Sequence, residues 1–196
     1  MNNVNLIELG EIPNTKIMKG MLLFNSRNEN LQKFEKVKIL KYINVRNLVT
    51  LGNTDDVDYS DLDLSKKYKD CDIQQGDIIV PLLARKEKGS ALYIEKEPAE
   101  KCIYNESNLI IRINNNNINN RYISLVLDNL YQKWFNIPTA GAFPFRVTVR
   151  HLEKAIIPLP DISVQNEIVD KYTKAVEQLE EVDNKIQKLL RKGADM

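Results

Sequence analysis

The C-terminal fifth of the chain carries the pattern that most constrains its fold. Pro158 and Pro160 cannot lie inside a helix, Ser163 is a suitable N-cap, and no Gly or Pro then occurs up to Lys192. Between these limits, apolar or small residues recur in steps of four and three, at Ile168, Tyr172, Ala175, Leu179, Val182, Ile186 and Leu189. This heptad spacing predicts a long helix with a seam for a second helix.

Two kinds of packing are open to such a helix. About 30 residues span about 45 Å, which is longer than a compact domain of this size can cover. The helix either folds back on its own domain or pairs with another helix, and the chain contains no second helical pattern of comparable length. The sustained period of 3.5 residues favours a helix–helix seam. Val176 and Leu190 widen the apolar surface beside it.

Composition excludes several classes of protein. The 196 residues carry a formal net charge of +1, so any contact with nucleic acid must come from local patches. Cys71 and Cys102 lack the companions of a metal site and predict reduced thiols. No apolar run reaches membrane-spanning length, and the N-terminus lacks a signal-peptide pattern. We therefore expect a cytoplasmic protein without a membrane partner.

The patterns predict an α+β fold, with one mixed α/β domain over 1–160 and the coiled-coil helix over 161–196. The N-terminus predicts a short strand or turn, and residues 14–36 predict a loop and hairpin region. Further strands are predicted at 37–45, 78–83, 91–94, 108–113 and 145–149. Pro81 makes the second of these an edge or bulged strand.

Helical patterns also occur within the domain. One helical face carries Tyr122, Ile123, Val126, Leu127, Leu130, Trp134 and Phe135. We interpret these aromatic rings as core packing rather than base stacking. Thr148 is expected to cap a short helix over 150–154, where His151, the one histidine of the chain, has a structural role.

Aspartates are concentrated between Asp55 and Asp72. A calcium loop needs a fixed Gly and a terminal Glu, and neither stands in register here. We interpret the segment as a solvated acidic face, which repels phosphate and therefore points away from any nucleic acid.

The sequence carries no catalytic motif. Its seven glycines are never two apart, which excludes a GxG nucleotide loop, and there is no GxxxxGK[ST] loop. The Asn/Asp-Pro-Pro-aromatic tetrapeptide of amino-methyltransferases is absent, and one histidine cannot form a His-rich metal site. We therefore predict a non-enzymatic binding module on a coiled coil, without a metal or cofactor of its own.

Three stretches of the chain resemble one half of the specificity subunit of type I restriction–modification systems. They are ELGEI at 8–12, QQGDIIV at 74–80 and the segment 140–172. The last contains Gly141, a run from Leu152 that ends in Ile-Pro-Leu-Pro, and a helix that opens with Gln165, in the order typical of the family. The aromatic residue that often precedes the first motif is absent here.

The resemblance implies a DNA target-recognition domain followed by a spacer helix. A full-length subunit carries two of each, with the helices antiparallel, whereas this chain carries one of each. We therefore expect a head-to-tail homodimer on double-stranded DNA, at two inverted half-sites. The resemblance also implies methyltransferase subunits that bind S-adenosylmethionine and methylate adenine N6, and it leaves open a restriction subunit.

Under the same resemblance, basic and polar residues become the candidates for DNA contact. Segment 84–90 (ARKEKGS) is either an ordinary charged hairpin or a cationic finger for a phosphate backbone. Arginine suits guanine edges, lysine suits phosphates, and Asn44 or Asn47 suits adenine. The candidates are Arg46, Asn47, Arg85, Lys86, Lys88, Gly89, Thr139, Gly141, Arg146 and Arg150.

Other functions fit the same sequence. A silent or truncated cassette would keep the fold, and its genomic neighbours would reveal it. A coiled-coil adaptor would bind methyltransferase subunits without reading DNA. Pairing with a different half-subunit would make the DNA site asymmetric.

Overall fold

The computed structural model describes residues 4–20, 34–40, 57–63, 72–83, 91–97, 102–104, 108–136 and 145–194. Their strands are β1 (Asn5–Glu8), β2 (Thr15–Lys19), β3 (Phe34–Leu40), β4 (Val57–Asp63), β5 (Ile78–Pro81), β6 (Leu92–Tyr93), β7 (Cys102–Tyr104), β8 (Asn108–Ile113) and β9 (Ile156–Leu159). Their helices are α1 (Asn120–Phe135), α2 (Val149–Glu153), α3 (Ile162–Ala194) and a 3-10 turn (Leu9–Glu11). Mixed sheets, helices and a long C-terminal helix confirm the predicted α+β fold.

The described strands form three sheets. The largest has the order β2-β8-β5-β6 and is antiparallel throughout. A second has the order β4-β3-β7, in which β3 and β7 are parallel. The third is an antiparallel ribbon of β1 and β9, and it joins the two ends of the domain immediately before α3.

The core lies on both faces of the largest sheet, because successive side chains of a strand point to opposite faces. On one face, Ile111 of β8 packs in a cluster with Ile123 and Leu127 of α1, as the predicted core helix requires. On the other face, Ile79 and Ile110 form a second buried cluster. Both faces of this sheet are therefore covered, which explains the continuous apolar sequences of β5 and β8.

The prediction of an edge or bulged strand around Pro81 is wrong. β5 lies inside its sheet, between β8 and β6. Pro81 is tolerated because it ends the strand, opposite Asn108 of β8, while β6 pairs only with Ile78 and Ile79. The missing N–H of proline therefore removes no bond to β6.

The prediction of a loop and hairpin region over 14–36 is also wrong where the structure describes it. Residues Thr15–Lys19 form β2, which pairs with β8, almost 100 residues away in the sequence. The acidic segment 55–72 contains β4, which the sequence interpretation did not include. Both strands depend on distant pairing rather than on a strong local pattern.

Two predictions near the C-terminus need correction. Of the predicted strand at 145–149, Arg146 makes an isolated bridge with Leu83, and Val149 already belongs to α2. The long helix begins at Ile162 rather than after Ser163, because the Asp161 carbonyl accepts hydrogen bonds from the next turn. Thr148 caps α2 as predicted, one residue ahead of the expected range.

Candidate functional site

Of the residues predicted to contact DNA, the structure describes Arg146 and Arg150, and both are exposed. They lie on either side of the α2 N-cap. The other candidates fall outside the described residues: Arg46, Asn47, Arg85, Lys86, Lys88, Gly89, Thr139 and Gly141. Asn44 falls outside them as well.

Arg146 is held beside the end of the β5 segment. It bridges Leu83 in antiparallel fashion, and the neighbouring Val147 N–H donates to the Leu82 carbonyl at 2.7 Å. Val147 is fully buried, so this attachment is part of the core. In the sequence, segment 84–90 follows Leu83 directly. Arg146 therefore pairs with the last described residue before that predicted basic segment.

A compact cap presents Arg150 on α2. The Thr148 hydroxyl accepts from the His151 backbone N–H at 3.3 Å, and the Thr148 N–H donates to His151 Nδ1 at 3.2 Å. The imidazole also packs against the Phe145 ring, with centroids 4.9 Å apart. These contacts fit the structural role that the sequence predicted for His151, since both ends of the capping box are occupied.

The ELGEI motif docks α2 onto the rest of the domain. The Leu9 N–H donates to the Ala155 carbonyl at 2.9 Å. A Cβ at Gly10 would lie 3.1 Å from Cβ of Glu153, which is tighter than almost all real contacts. Glycine therefore permits the close approach. Lys154 bonds Glu8 at 2.5 Å, and this hydrogen bond raises the pKa of the lysine.

The QQGDIIV motif anchors β5 to β8 through a buried charge pair. Gly76 has a φ of 88°, a left-handed conformation that favours glycine. Asp77 is fully buried and accepts from Arg112 Nε at 2.7 Å and from a second guanidinium nitrogen at 2.8 Å. The same guanidinium donates to the Asp72 carbonyl at 2.7 Å. The motif therefore has a structural role, because it ties the turn before β5 to β8.

Gln165 joins the start of α3 to the domain, and it is only 1% exposed. Its Oε1 accepts from the Asn119 backbone N–H at 2.9 Å, and its Nε2 donates to the Pro160 carbonyl at 2.8 Å. Beside it, Asn119 Nδ2 donates to Asn166 Oδ1 at 2.7 Å. We call Gln165, Asn119 and Pro160 the Gln165 bracket. The sequence marked Gln165 only through resemblance and missed Asn119, the N-cap of α1.

Two separate stripes run along α3. At about 100° per residue, Gln165, Val169 and Val176 share one side of the helix, and the seven heptad residues lie about 100° around it. Gln165 and Val169 are buried against the domain. The heptad residues, which we call the seam, are all exposed, and the large side chains among them range from 39% at Tyr172 to 70% at Leu189.

Beyond Val176 the helix leaves the domain. Every residue from Glu177 to Arg191 is exposed. The alternative in which this helix folds back on its own domain is therefore wrong for these residues. An apolar stripe of this length in water is typical of an interaction surface.

Two kinds of site are absent from the part of the chain that the structure describes. Within those ranges, no group of three or more His, Cys, Asp or Glu side chains is placed to hold a metal ion. None of the described helices is long and apolar enough to cross a membrane.

Comparisons with known proteins place the chain in a family. A chain of a type I R–M system, from a study of complex assembly and conformational transition, matches with a TM-score of 0.63 and 15% identity. The HsdS subunit from Thermoanaerobacter tengcongensis matches with a TM-score of 0.54 and 13% identity. These matches cover 91% and 89% of this chain but only 39% and 37% of the other chains.

The sequence comparisons agree with the structural ones. No curated protein matches the chain at a significant level. A family model, described as the type I restriction modification DNA specificity domain, matches residues 1–191. The chain therefore belongs to the family of type I restriction modification DNA specificity domains.

Proposed function

We propose that the chain is a non-catalytic specificity subunit, which reads one half of a bipartite DNA site and docks methyltransferase subunits. Residues 1–160 form the recognition domain, and 161–196 form the spacer and dimerisation helix. The observation that carries the proposal is the seam of α3, which is exposed and lies beside the stripe that packs on the domain. Two copies that join through it place two recognition domains in one particle.

Head-to-tail pairing fits the side chains of the seam. A two-fold axis that crosses the pair midway between Leu179 and Val182 places these two residues opposite each other. The same axis places Ala175 opposite Ile186 of the second copy. A small residue then faces a large one, which fills the space between the helices.

Parallel pairing fits less well. It places Ala175 opposite Ala175, and two small side chains leave a cavity in the seam, which is destabilising. The antiparallel arrangement also places the recognition domains at opposite ends of the pair, one at each α3 N-terminus. Two identical domains related by a two-fold axis read inverted half-sites.

DNA contact is assigned to the basic positions around the domain. Arg146 and Arg150 are exposed on the two sides of the α2 N-cap, and Arg146 bridges Leu83, the residue that precedes segment 84–90 in the sequence. The remaining residues that we propose to contact DNA are Arg46, Asn47, Thr139 and Gly141. Arg146→Ala or Arg150→Ala should weaken DNA binding, and a lost phosphate contact should lower the salt slope by about one.

The chemistry is assigned to other subunits. Methyltransferase subunits supply S-adenosylmethionine and flip the adenine out of the duplex, and the proposal leaves open whether a restriction subunit joins them. The small net charge of this chain fits a division of labour in which these subunits supply part of the phosphate grip. The complex works in the cytoplasm.

Co-expression tests this function directly. The chain is expressed with a type I methyltransferase subunit from the same locus, and adenine methylation of plasmid DNA is compared with that from the methyltransferase alone. We expect methylation only when the chain is present. A stable complex without methylation or specific DNA binding would instead support an adaptor, and a chain that binds neither partner would support a silent cassette.

A further inference from the structure

Gln165 is an uncommon residue to find buried, and its surroundings give it a mechanical role. It lies in the first turn of α3, and its two polar atoms bond the α1 N-cap backbone and the chain before α3. A buried polar side chain with both ends satisfied fixes one orientation, because an apolar contact would allow several. The bracket therefore sets the direction in which α3 leaves the domain.

This direction matters because α3 is long, and a small change of angle at its start displaces its far end by several ångströms. Val169 is also buried and Val176 is half-buried, so the attachment ends at Val176, less than halfway along the helix. Arg191 lies about 39 Å beyond Gln165 along the axis, at 1.5 Å per residue. A change of about 10° at the bracket would move Arg191 by about 7 Å, or about two base pairs of B-DNA.

We propose that Gln165 is a positioning residue that determines which spacer length between the two half-sites is accepted. The inference rests on the proposed function and adds to it a specificity determinant that touches neither DNA nor the second copy. The length of α3 sets the coarse distance between the domains. The hydrogen bonds of Gln165 fix the angle between helix and domain, and this angle determines how far the spacer may depart from that distance.

The first test measures the angle without any DNA. Gln165→Met keeps side-chain length and helix propensity but removes both hydrogen bonds. Spin labels are attached to cysteines substituted at Asn129 of α1 and Asn184 of α3, in a Cys71→Ser and Cys102→Ser background. Labelled chain is mixed with excess unlabelled chain, so that pulsed electron spin resonance reports distances within one copy.

Wild type should give one narrow distance. In Gln165→Met the distribution should broaden or shift by about 5 Å, the displacement of Asn184 for a 10° change. Ser163→Ala is the matched control in the same turn, because Ser163 is exposed, and it should leave the distribution narrow. A distribution with the same centre and the same width in wild type and Gln165→Met would overturn the proposal, as would a Gln165→Met chain that lacks the helical circular dichroism of wild type.

The second test measures the spacer itself. Complexes with wild type, Gln165→Met or Ser163→Ala methylate a plasmid library in which the two half-sites are separated by every spacer length. Wild type and Ser163→Ala should prefer one spacer, whereas Gln165→Met should raise methylation at neighbouring spacers about tenfold relative to the preferred one. An unchanged spacer profile would overturn the role of Gln165 alone. Failure of wild type to methylate any split site would instead overturn the proposed function.

Discussion

Asp77 and Arg112 form a charged pair that is almost completely removed from water. The carboxylate is fully buried, the guanidinium side chain is 12% exposed, and the two groups share two hydrogen bonds. Removal of a charge from water is costly, and bidentate geometry offsets much of that cost. The pair therefore holds the QQGD turn against β8 as long as both partners are present.

Loss of one partner should destabilise the domain strongly. Asp77→Ala is expected to lower the free energy of unfolding by about 3–5 kcal/mol, because Arg112 is left without its carboxylate. Urea denaturation followed by circular dichroism measures the change. Glu167→Ala, which breaks the exposed pair with Lys171, is the control and should change the unfolding free energy far less. Similar losses in both variants would contradict the structural role of the motif.

Tyr131 is a second buried polar residue, and it makes stability depend on alkaline pH. Its hydroxyl donates to the Pro81 carbonyl at 3.1 Å, and burial raises the pKa of Tyr131 well above its usual value. The unfolded chain therefore loses this proton first as the pH rises. Stability from the group is present below about pH 10 and is lost above it.

Tyr131→Phe should separate the contribution of the hydrogen bond from the effect of phenol ionisation. At neutral pH it should cost about 0.5–1.5 kcal/mol, the net value of one hydrogen bond. Above about pH 10 the gap between wild type and variant should narrow, since the variant has no phenol to ionise at this position. Urea denaturation at a series of pH values measures the gap. A gap that widens at high pH would show that Tyr131 is ionised in the folded chain.

Residue roles were only partly predictable from the sequence. The apolar face of α1 was visible, because helical period reports burial directly. Tyr131 was missed although it lies on that face, one turn after Leu127 and one turn before Phe135, and its contact with Pro81 spans 50 residues. The bracket was missed for the same reason: Asn119 and Gln165 meet only in the fold. Local patterns predict which side chains are buried but not which distant groups they bond.

Secondary-structure elements were also predictable only where the local sequence pattern was strong. α3, α1 and β8 were predictable, because each has a strong period or a continuous β-branched run. β2 and β4 were not, since their sequences are polar and mixed and their pairing is long-range. The seam shows what a local pattern can predict. Its spacing predicted a surface for a second helix, and that surface is exposed in the structure.

The seam should tolerate no charge if it joins two copies. Leu179→Glu is expected to weaken dimerisation by about 100-fold or more, because a carboxylate would be buried between apolar residues. Analytical ultracentrifugation over a range of concentrations measures the dissociation constant. Asn184→Glu adds the same charge at an exposed position outside the seam and should leave the dimer intact. Equal dimerisation of both variants would rule out the seam as the interface.

Disulfide crosslinking of substituted cysteines distinguishes antiparallel from parallel helices in the pair. In a Cys71→Ser and Cys102→Ser background, Ala175→Cys together with Ile186→Cys should form intermolecular disulfides under mild oxidation, because antiparallel helices place these positions opposite each other. Ala175→Cys alone should remain uncrosslinked on a non-reducing gel. Efficient crosslinking of the single variant would indicate parallel helices instead.

At the scale of the whole molecule, a mixed α/β domain is followed by α3, whose residues from Glu177 to Arg191 extend away from it. The family match covers residues 1–191, yet the chain spans less than half of the solved HsdS-type chains that it resembles. Two copies would supply two domains and two helices. The DNA site would then have the symmetry of the protein, because identical domains related by a two-fold axis select identical inverted half-sites.

Single-molecule mapping of N6-methyladenine tests this account most directly. The chain is co-expressed with its methyltransferase subunit, and methylated positions are located across the host DNA. We expect a split motif whose two halves are inverted copies, separated by one fixed spacer. A split motif with unlike halves would replace the homodimer with a mixed pair. An undivided motif, or methylation unrelated to sequence, would contradict the account.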